Sequence, residues 1–230
     1  MSSRWLYLTA ALLLVGVAPP SSAAPVIDWD PAFFYEPDAI PTHSIAGREM
    51  KIVGVISAFG TPLDDLNANI QTLDYTFYIS GLISEGTSPP IGPPGTQFYI
   101  TTYTGGTIEI YEGTPKDAVF TPNPPNADVP SKFTDGTLLL SGTVSGFYTQ
   151  TNDFTPFNTG NAECRITWTG GSRLADMAVE NCPDLFTGGI TWFPSVMIDG
   201  YLFRHDGKID HECPTPARSS TWGRIKKLYR

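Results

Sequence analysis

From Met50 onward, short β-branched and aromatic runs alternate with clusters of Gly, Pro, Asn and Asp. That punctuation predicts an all-β chain. Strands are expected over 50–59, 73–84, 97–104, 106–112, 137–149, 163–169, 173–181, 187–193, 196–205 and 208–213. Several show period two: Ile108 and Ile110 oppose Thr107, Glu109 and Tyr111, and Leu138, Leu140 and Val144 oppose Ser141, Thr143 and Ser145. One dry and one wet face per strand imply antiparallel pairing. The expected fold is an antiparallel β-sandwich or flattened β-barrel of about eight to ten strands, with one or two short helices in loops.

Two loops carry a helix-start pattern, Thr61-Pro62-Leu63-Asp64 and Thr114-Pro115-Lys116-Asp117. Each offers a capping hydroxyl, a proline at the first helical position and an acid in the first turn. Leu63, Leu66 and Ile70 continue the first as a short helix. The proline runs of 86–95 and 121–131 exclude regular structure and predict long surface loops. Two tight hairpins are expected. Gly170-Gly171 would pair Arg165 with Asp176 and Ile166 with Ala175, and Asp206-Gly207 would pair His205 with Lys208 and Leu202 with His211.

The ends differ from the body. Arg4, the apolar stretch Leu6 to Val17, then Pro19-Pro20 and Ser21-Ser22-Ala23, read as a secretory signal over 1–23. Its apolar part is shorter than the ~20 residues a spanning helix needs. Cleavage is expected after Ala23, with Ala24 as second choice and a retained membrane anchor as the alternative. Residues 24–49, with Asp28, Asp30, Pro31, Pro37, Asp38 and Pro41, read as an extended leader lying on a single β domain over 50–213. Residues 214–230 form a basic C-terminal tail.

Charge sharpens this division. The formal net charge of −9 becomes −10 once Arg4 leaves with the signal. Residues 24–216 hold all 23 acids against eight cations, a body charge of −15, while Arg218, Arg224, Lys226, Lys227 and Arg230 meet no acid. Such a body repels phosphate backbones, which argues against a nucleic-acid partner.

The search for chemistry turns up no catalytic, cofactor or metal set. Gly142-Thr143-Val144-Ser145-Gly146 has the wrong spacing for a nucleophile elbow. His43 lies in the leader, and the Asp206-Gly207 hairpin would put His205 and His211 on opposite faces as solvated surface side chains. Glu109, Glu112 and Glu180 read as an acidic outer surface, and no carboxylate pair of the kind used in glycoside hydrolysis stands out. No calcium-loop spacing is present; Asp28 with Asp30, Asp64 with Asp65, and Asp206 with Asp210 could bind calcium only adventitiously, and Asp206 reads better as a turn former and Asp64 as a helix-start acid. Trp168, Trp192, Tyr201 and Phe203 read as core rather than as a stacking platform for sugar rings. Cys164, Cys182 and Cys213 suggest one disulfide and one leftover thiol. Nearness in sequence favours Cys164–Cys182, with Cys182–Cys213 open.

In the tail, Trp222, Ile225 and Tyr229 form an apolar stripe beside Arg224, Lys226 and Lys227. The ending Thr221-Trp222-Gly223-Arg224-Ile225-Lys226-Lys227-Leu228-Tyr229-Arg230, with Asp206-Gly207-Lys208-Ile209-Asp210 and Phe133-Thr134-Asp135-Gly136-Thr137, resembles exported bacterial β-rich proteins that share such an ending. The resemblance implies export and surface sorting, and it offers no known activity or catalytic residues to carry over. The sequence thus leads to an exported, non-enzymatic cell-surface or extracellular binding or structural module. Carbohydrate or another surface protein is the candidate partner, and the tail is expected to contact an anionic surface or sorting machinery. The alternative is an extracellular carbohydrate-active enzyme using two carboxylates. An outer-membrane barrel is the third reading, opposed by the proline-broken strands.

Overall fold

Nine strands hydrogen-bond into one antiparallel sheet that closes on itself in the computed structural model, which describes residues 25–121, 130–154, 157–177 and 182–211. They are β1 Ile27–Tyr35, β2 Glu49–Phe59, β3 Asp74–Thr87, β4 Gln97–Thr104, β5 Thr107–Gly113, β6 Thr137–Phe154, β7 Phe157–Gly170, β8 Asp184–Thr191 and β9 Phe203–Asp210. The first strand pairs with the last, so the barrel has no open edge: Trp29 faces Gly207, and Phe34 faces Phe203.

Strands β4 and β5 share one place in the barrel. Both lie between β3 and β6, with β5 against Asp74–Ser80 and β4 against Ile83–Thr87. They run in the same direction and are parted only by Gly105 and Gly106. The wall is therefore an eight-stranded meander with one strand broken in two. The break is not local. Gly81 of β3, Gly105 and Gly106 between β4 and β5, and Gly146 of β6 all have φ between +63° and +107°. Only glycine holds that conformation at low cost, so the bend runs straight across three neighbouring positions of the wall. A Cβ on Gly106 would lie 2.6 Å from Cδ2 of Leu82.

The barrel is filled. Ile27, Trp29 and Phe34 of β1 meet Phe77, Ile110, Leu140, Phe147, Ile166, Phe186 and Ile209, all buried in one cluster. A second, smaller cluster lies outside the wall. There Phe33, Tyr35 and Val53 are covered by Phe120, by Phe133 of the helical turn Ser131–Thr134, and by Met197 and Tyr201 of the segment before β9. The phenol of Tyr201 donates to the carbonyl of Phe120 (2.9 Å) and ties those two covers together.

The leader expected over 24–49 is corrected by this arrangement, because Ile27–Tyr35 is an integral barrel strand. Its last four residues are buried, inward ones in the core and outward ones under the loops. A strand buried on both faces loses the alternation by which the others are recognised. The Asp206-Gly207 hairpin is also corrected, since β9 runs straight through both residues. Gly207 is there because ring atoms press on the backbone. A Cβ on it would lie 2.5 Å from Cε1 of His205 and 2.9 Å from Cζ2 of Trp29. Glycine inside a strand marks such a close approach as well as a turn.

The chain does turn at Gly171 (φ +102°), but the strand expected over 173–181 is replaced at its start by a single helical turn, Leu174–Met177. Ile166 consequently pairs with Asp184 and Arg165 with Leu185, not with Ala175 and Asp176. Met177 packs into the lower end of the barrel, and Arg173 forks onto Asp65 (2.7 and 2.9 Å). Of the strand expected over 196–205, only the end enters β9. The first helix-start pattern leads into a 3₁₀ helix, Asp64–Asn69, with Leu66 buried. The second leads into none.

Candidate functional site

The upper rim, where β1 ends and β2 begins, holds a buried polar chain. Glu36 follows directly on β1 and is 4% exposed. Its Oε1 accepts from the Ser44 hydroxyl and its Oε2 from the Tyr103 hydroxyl (2.8 Å). Ser44 Oγ lies 2.6 Å from Ser84 Oγ, which in turn accepts from the Gly86 amide (3.0 Å). The Ser44 amide donates to Thr87 Oγ1 (2.8 Å), and Thr87 Oγ1 lies 2.7 Å from Thr101 Oγ1. The 36–48 segment is thereby fastened across the mouth of the barrel. Burial pushes the Glu36 carboxyl above its ordinary range, against the pull of Ser44, Tyr103, Arg48 and His43.

Next to this chain, residues 35–41 and 192–202 enclose a hollow of about 510 Å³ bordered by Glu36, Asp38, Ile40, Trp192, Met197 and Tyr201. Two acids line it, but both are engaged. Glu36 turns its oxygens inward to Ser44 and Tyr103, and Asp38 pairs with Arg48 at 2.8 Å. A second hollow of about 740 Å³ lies on the outside of β4 and β6.

Inside the barrel, His205 is fully buried between aromatic rings, stacked on Phe186 with centroids 5.2 Å apart. This corrects the surface placement expected from the hairpin. His205, Gly207 and Ile209 all face inward once β9 is continuous. Desolvation lowers its pKa to about 3, so the ring is neutral across the physiological range.

Among the described residues the lower rim has two more buried acids, Asp74 and Asp184. Asp184, 0% exposed, accepts from Trp168 Nε1 (2.6 Å) and bonds His211 Nδ1 (2.7 Å). His211 lies on the same strand parity as His205, not the opposite one, but at the far end of the core. Asp184 was not singled out by sequence. The only sign of it was an acid opening an apolar strand.

Cys164 is a free thiol facing inward at 2% exposure, so the expected Cys164–Cys182 bridge is corrected. The register explains why. Cys164 faces Phe186, and from Phe186 back to Asp184 the strand has already carried the chain ~7 Å away along its axis before Cys182 is reached. A disulfide needs Cα atoms within about 7 Å. Burial pushes the Cys164 thiol well up.

Trp168 and Trp192 are half-buried against the main cluster, Phe203 lies inside it, and Tyr201 belongs to the outer one. Glu109 accepts from Tyr111 and Glu112 from Tyr75. Asp206 lies close enough to Asp28 and Asp30 that, after burial, their charges help raise its pKa. Among the described residues no group of three or more His, Cys, Asp or Glu is placed to hold a metal. Cys213, Glu180 and the tail residues Trp222, Arg224, Ile225, Lys226, Lys227 and Tyr229 lie outside the described residues. Compared with known protein families, characterised proteins and solved structures, the chain has no significant match.

Proposed function

We propose that the chain is an exported, non-enzymatic module that binds through the outside of its barrel at the cell surface or in the extracellular space. One observation carries this reading. The barrel interior is packed with aromatic and aliphatic side chains, and its buried carboxylates serve separate structural bonds. Glu36 holds Ser44 and Tyr103 at the upper rim. Asp184 holds Trp168 and His211 at the lower rim, where Asp74 accepts from the Ala118 amide (2.7 Å). A glycosidase-type pair needs two carboxyls about 5–9 Å apart across an open bond. Among the described buried acids, Glu36 stands alone at one end of the barrel, and at the other end Asp184 and Asp74 are each taken up by protein donors, Trp168 Nε1 and the Ala118 amide.

The polarity of the wall supports the same reading. Outward positions include Asp28, Asp30, Glu109, Glu163, Arg165, Arg204 and Lys208, while inward ones are mainly apolar, with His205, Thr101, Thr149 and Thr151 as buried polar exceptions. A lipid-spanning barrel has the reverse pattern. Export itself rests on the 1–23 segment, and the basic ending from Arg218 is read as an address or docking element that meets an anionic surface or sorting machinery.

Two measurements test the proposal. The exported protein should begin at Ala24, or at Pro25, on N-terminal sequencing. Mature protein incubated with isolated cell envelope should bind saturably and release no reducing sugar. Sugar release that disappears in Glu36→Gln would establish the enzyme reading instead.

A further inference from the structure

The bend across β3, β4, β5 and β6, marked by Gly105 and Gly146, coincides with a concavity in the outer wall. The hollow of about 740 Å³ lies in the angle of that bend. Its floor is Ile100 and Tyr148, and its border Thr102, Ser145, Gln150 and Glu85. Ile100 pairs with Gln150 and Thr102 with Tyr148 across β4 and β6, so these four form one patch on adjacent strands. The patch is held from behind by Tyr103 and Phe147, whose rings meet edge to face at 5.6 Å inside the barrel.

We propose that this hollow binds a neutral saccharide, an inference that rests on the binding-module reading and names the ligand class and the place. A pyranose ring offers an apolar C–H face and an edge of hydroxyls. Half-buried Tyr148 and Ile100 supply the apolar floor for the face, with the flat tyrosine ring as the broader part. The border supplies the edge with matching groups: carboxylate acceptors on Glu85, amide donors and an acceptor on Gln150, and hydroxyls on Thr102 and Ser145. The Gln150 amide makes one long contact, 3.5 Å to Asn152 Oδ1, which leaves it able to turn to a ligand.

Charge selects among saccharides. Among the described residues no Lys, Arg or His borders the hollow, Glu85 is the charged group there, and residues 24–216 together carry −15. Uronates, sulfated sugars and phosphates would be repelled. At about 740 Å³ the hollow falls within the range of about 300–1,000 Å³ typical of small-molecule sites.

The test is affinity electrophoresis of the full mature chain in gels containing barley β-glucan, galactomannan or xyloglucan, with polygalacturonate as the anionic control. The variants are Thr102→Trp, which fills the hollow from an exposed position, and Tyr148→Ala, which removes its floor. Unfolding midpoints confirm that both variants fold. At least one neutral polymer should retard the wild type and polygalacturonate should not, and both variants should weaken retardation roughly tenfold or more. Retardation by none of the neutral polymers, equal retardation by polygalacturonate, or full retardation of folded Thr102→Trp overturns the proposal. Envelope binding that survives Thr102→Trp would sink this site and leave the module reading standing. Released reducing sugar would sink the module reading itself.

Discussion

The indole Nε1 of Trp29 donates to Nδ1 of His205 over 3.1 Å, joining the first strand of the barrel to the last at its centre. Because Nδ1 accepts, the neutral ring carries its proton on Nε2. That Nε2 lies against the Gly188 backbone and makes no hydrogen bond of good geometry. A buried donor left in this state costs about 1–3 kcal/mol. The Trp29 bond and the stack on Phe186 hold the ring there all the same.

His205 should make stability fall with acid. Its folded pKa of about 3 lies below the unfolded value near 6.5, so below pH 6.5 the unfolded chain takes up a proton that the barrel refuses. Stability is therefore full above pH 6.5 and lost as pH drops toward 3, by an amount on the order of a few kcal/mol. Denaturant midpoints at pH 7, 5.5 and 4.5 should show the decline, and His205→Phe should flatten it. An unchanged decline in His205→Phe counts against the assignment.

Glu36 acts in the opposite direction. Its folded pKa is raised by burial, so its contribution is present below the ordinary carboxyl range and is lost as pH rises through the folded value. Glu36→Gln keeps the shape and drops the charge. The wild type should therefore lose ground to this variant as pH rises from 4 to 8, in paired unfolding curves. A gap that stays constant over that range would show that burial does not raise the Glu36 pKa.

Two glycines of neighbouring strands should respond differently to the same added methyl group. Gly207→Ala places a Cβ 2.5 Å from the His205 ring, whereas one on Gly189 meets nothing within 4 Å. The first should cost about 1–3 kcal/mol through overpacking. The second should stay within about 0.5 kcal/mol of wild type. Thermal unfolding of the two variants decides it, and equal midpoints would contradict the interior geometry.

The thiols should separate by reactivity. Cys164, buried and with its pKa raised, should resist a thiol reagent until the protein unfolds. With Cys164 held inside, the only bridge open to a single chain is Cys182–Cys213. Closing that loop should stabilise by ~3–4 kcal/mol in the chain-entropy model. Unreduced peptide mapping should recover that linked pair, and a Cys164–Cys182 peptide would contradict the register of β7 and β8.

Much of the wall could be read from the sequence because half-wet strands advertise themselves. The strands expected at 97–104 and 106–112 appear as β4 and β5, and Ile108 and Ile110 do face inward. β1 escaped notice because its acids and prolines look like linker. The run Ala32-Phe33-Phe34-Tyr35 was the available signal, four apolar residues without alternation. Glu36 was hidden by the same misreading, since an acid in a leader has no reason to be buried.

Sequence alone determined that the chain is all-β and antiparallel, and which face of strands such as β5 is dry. Both follow from local periodicity, which each strand carries by itself. Closure of the barrel, the burial of His205 and the isolation of Cys164 were decided only in three dimensions. They depend on which strand lies beside which, and on ring atoms of Trp29 and His205 arriving at Gly207 from 176 residues apart. An Asp-Gly pair reads the same whether a turn needs its flexibility or a neighbour needs the space of its missing side chain. Only the neighbour settles which, and it is supplied by the fold.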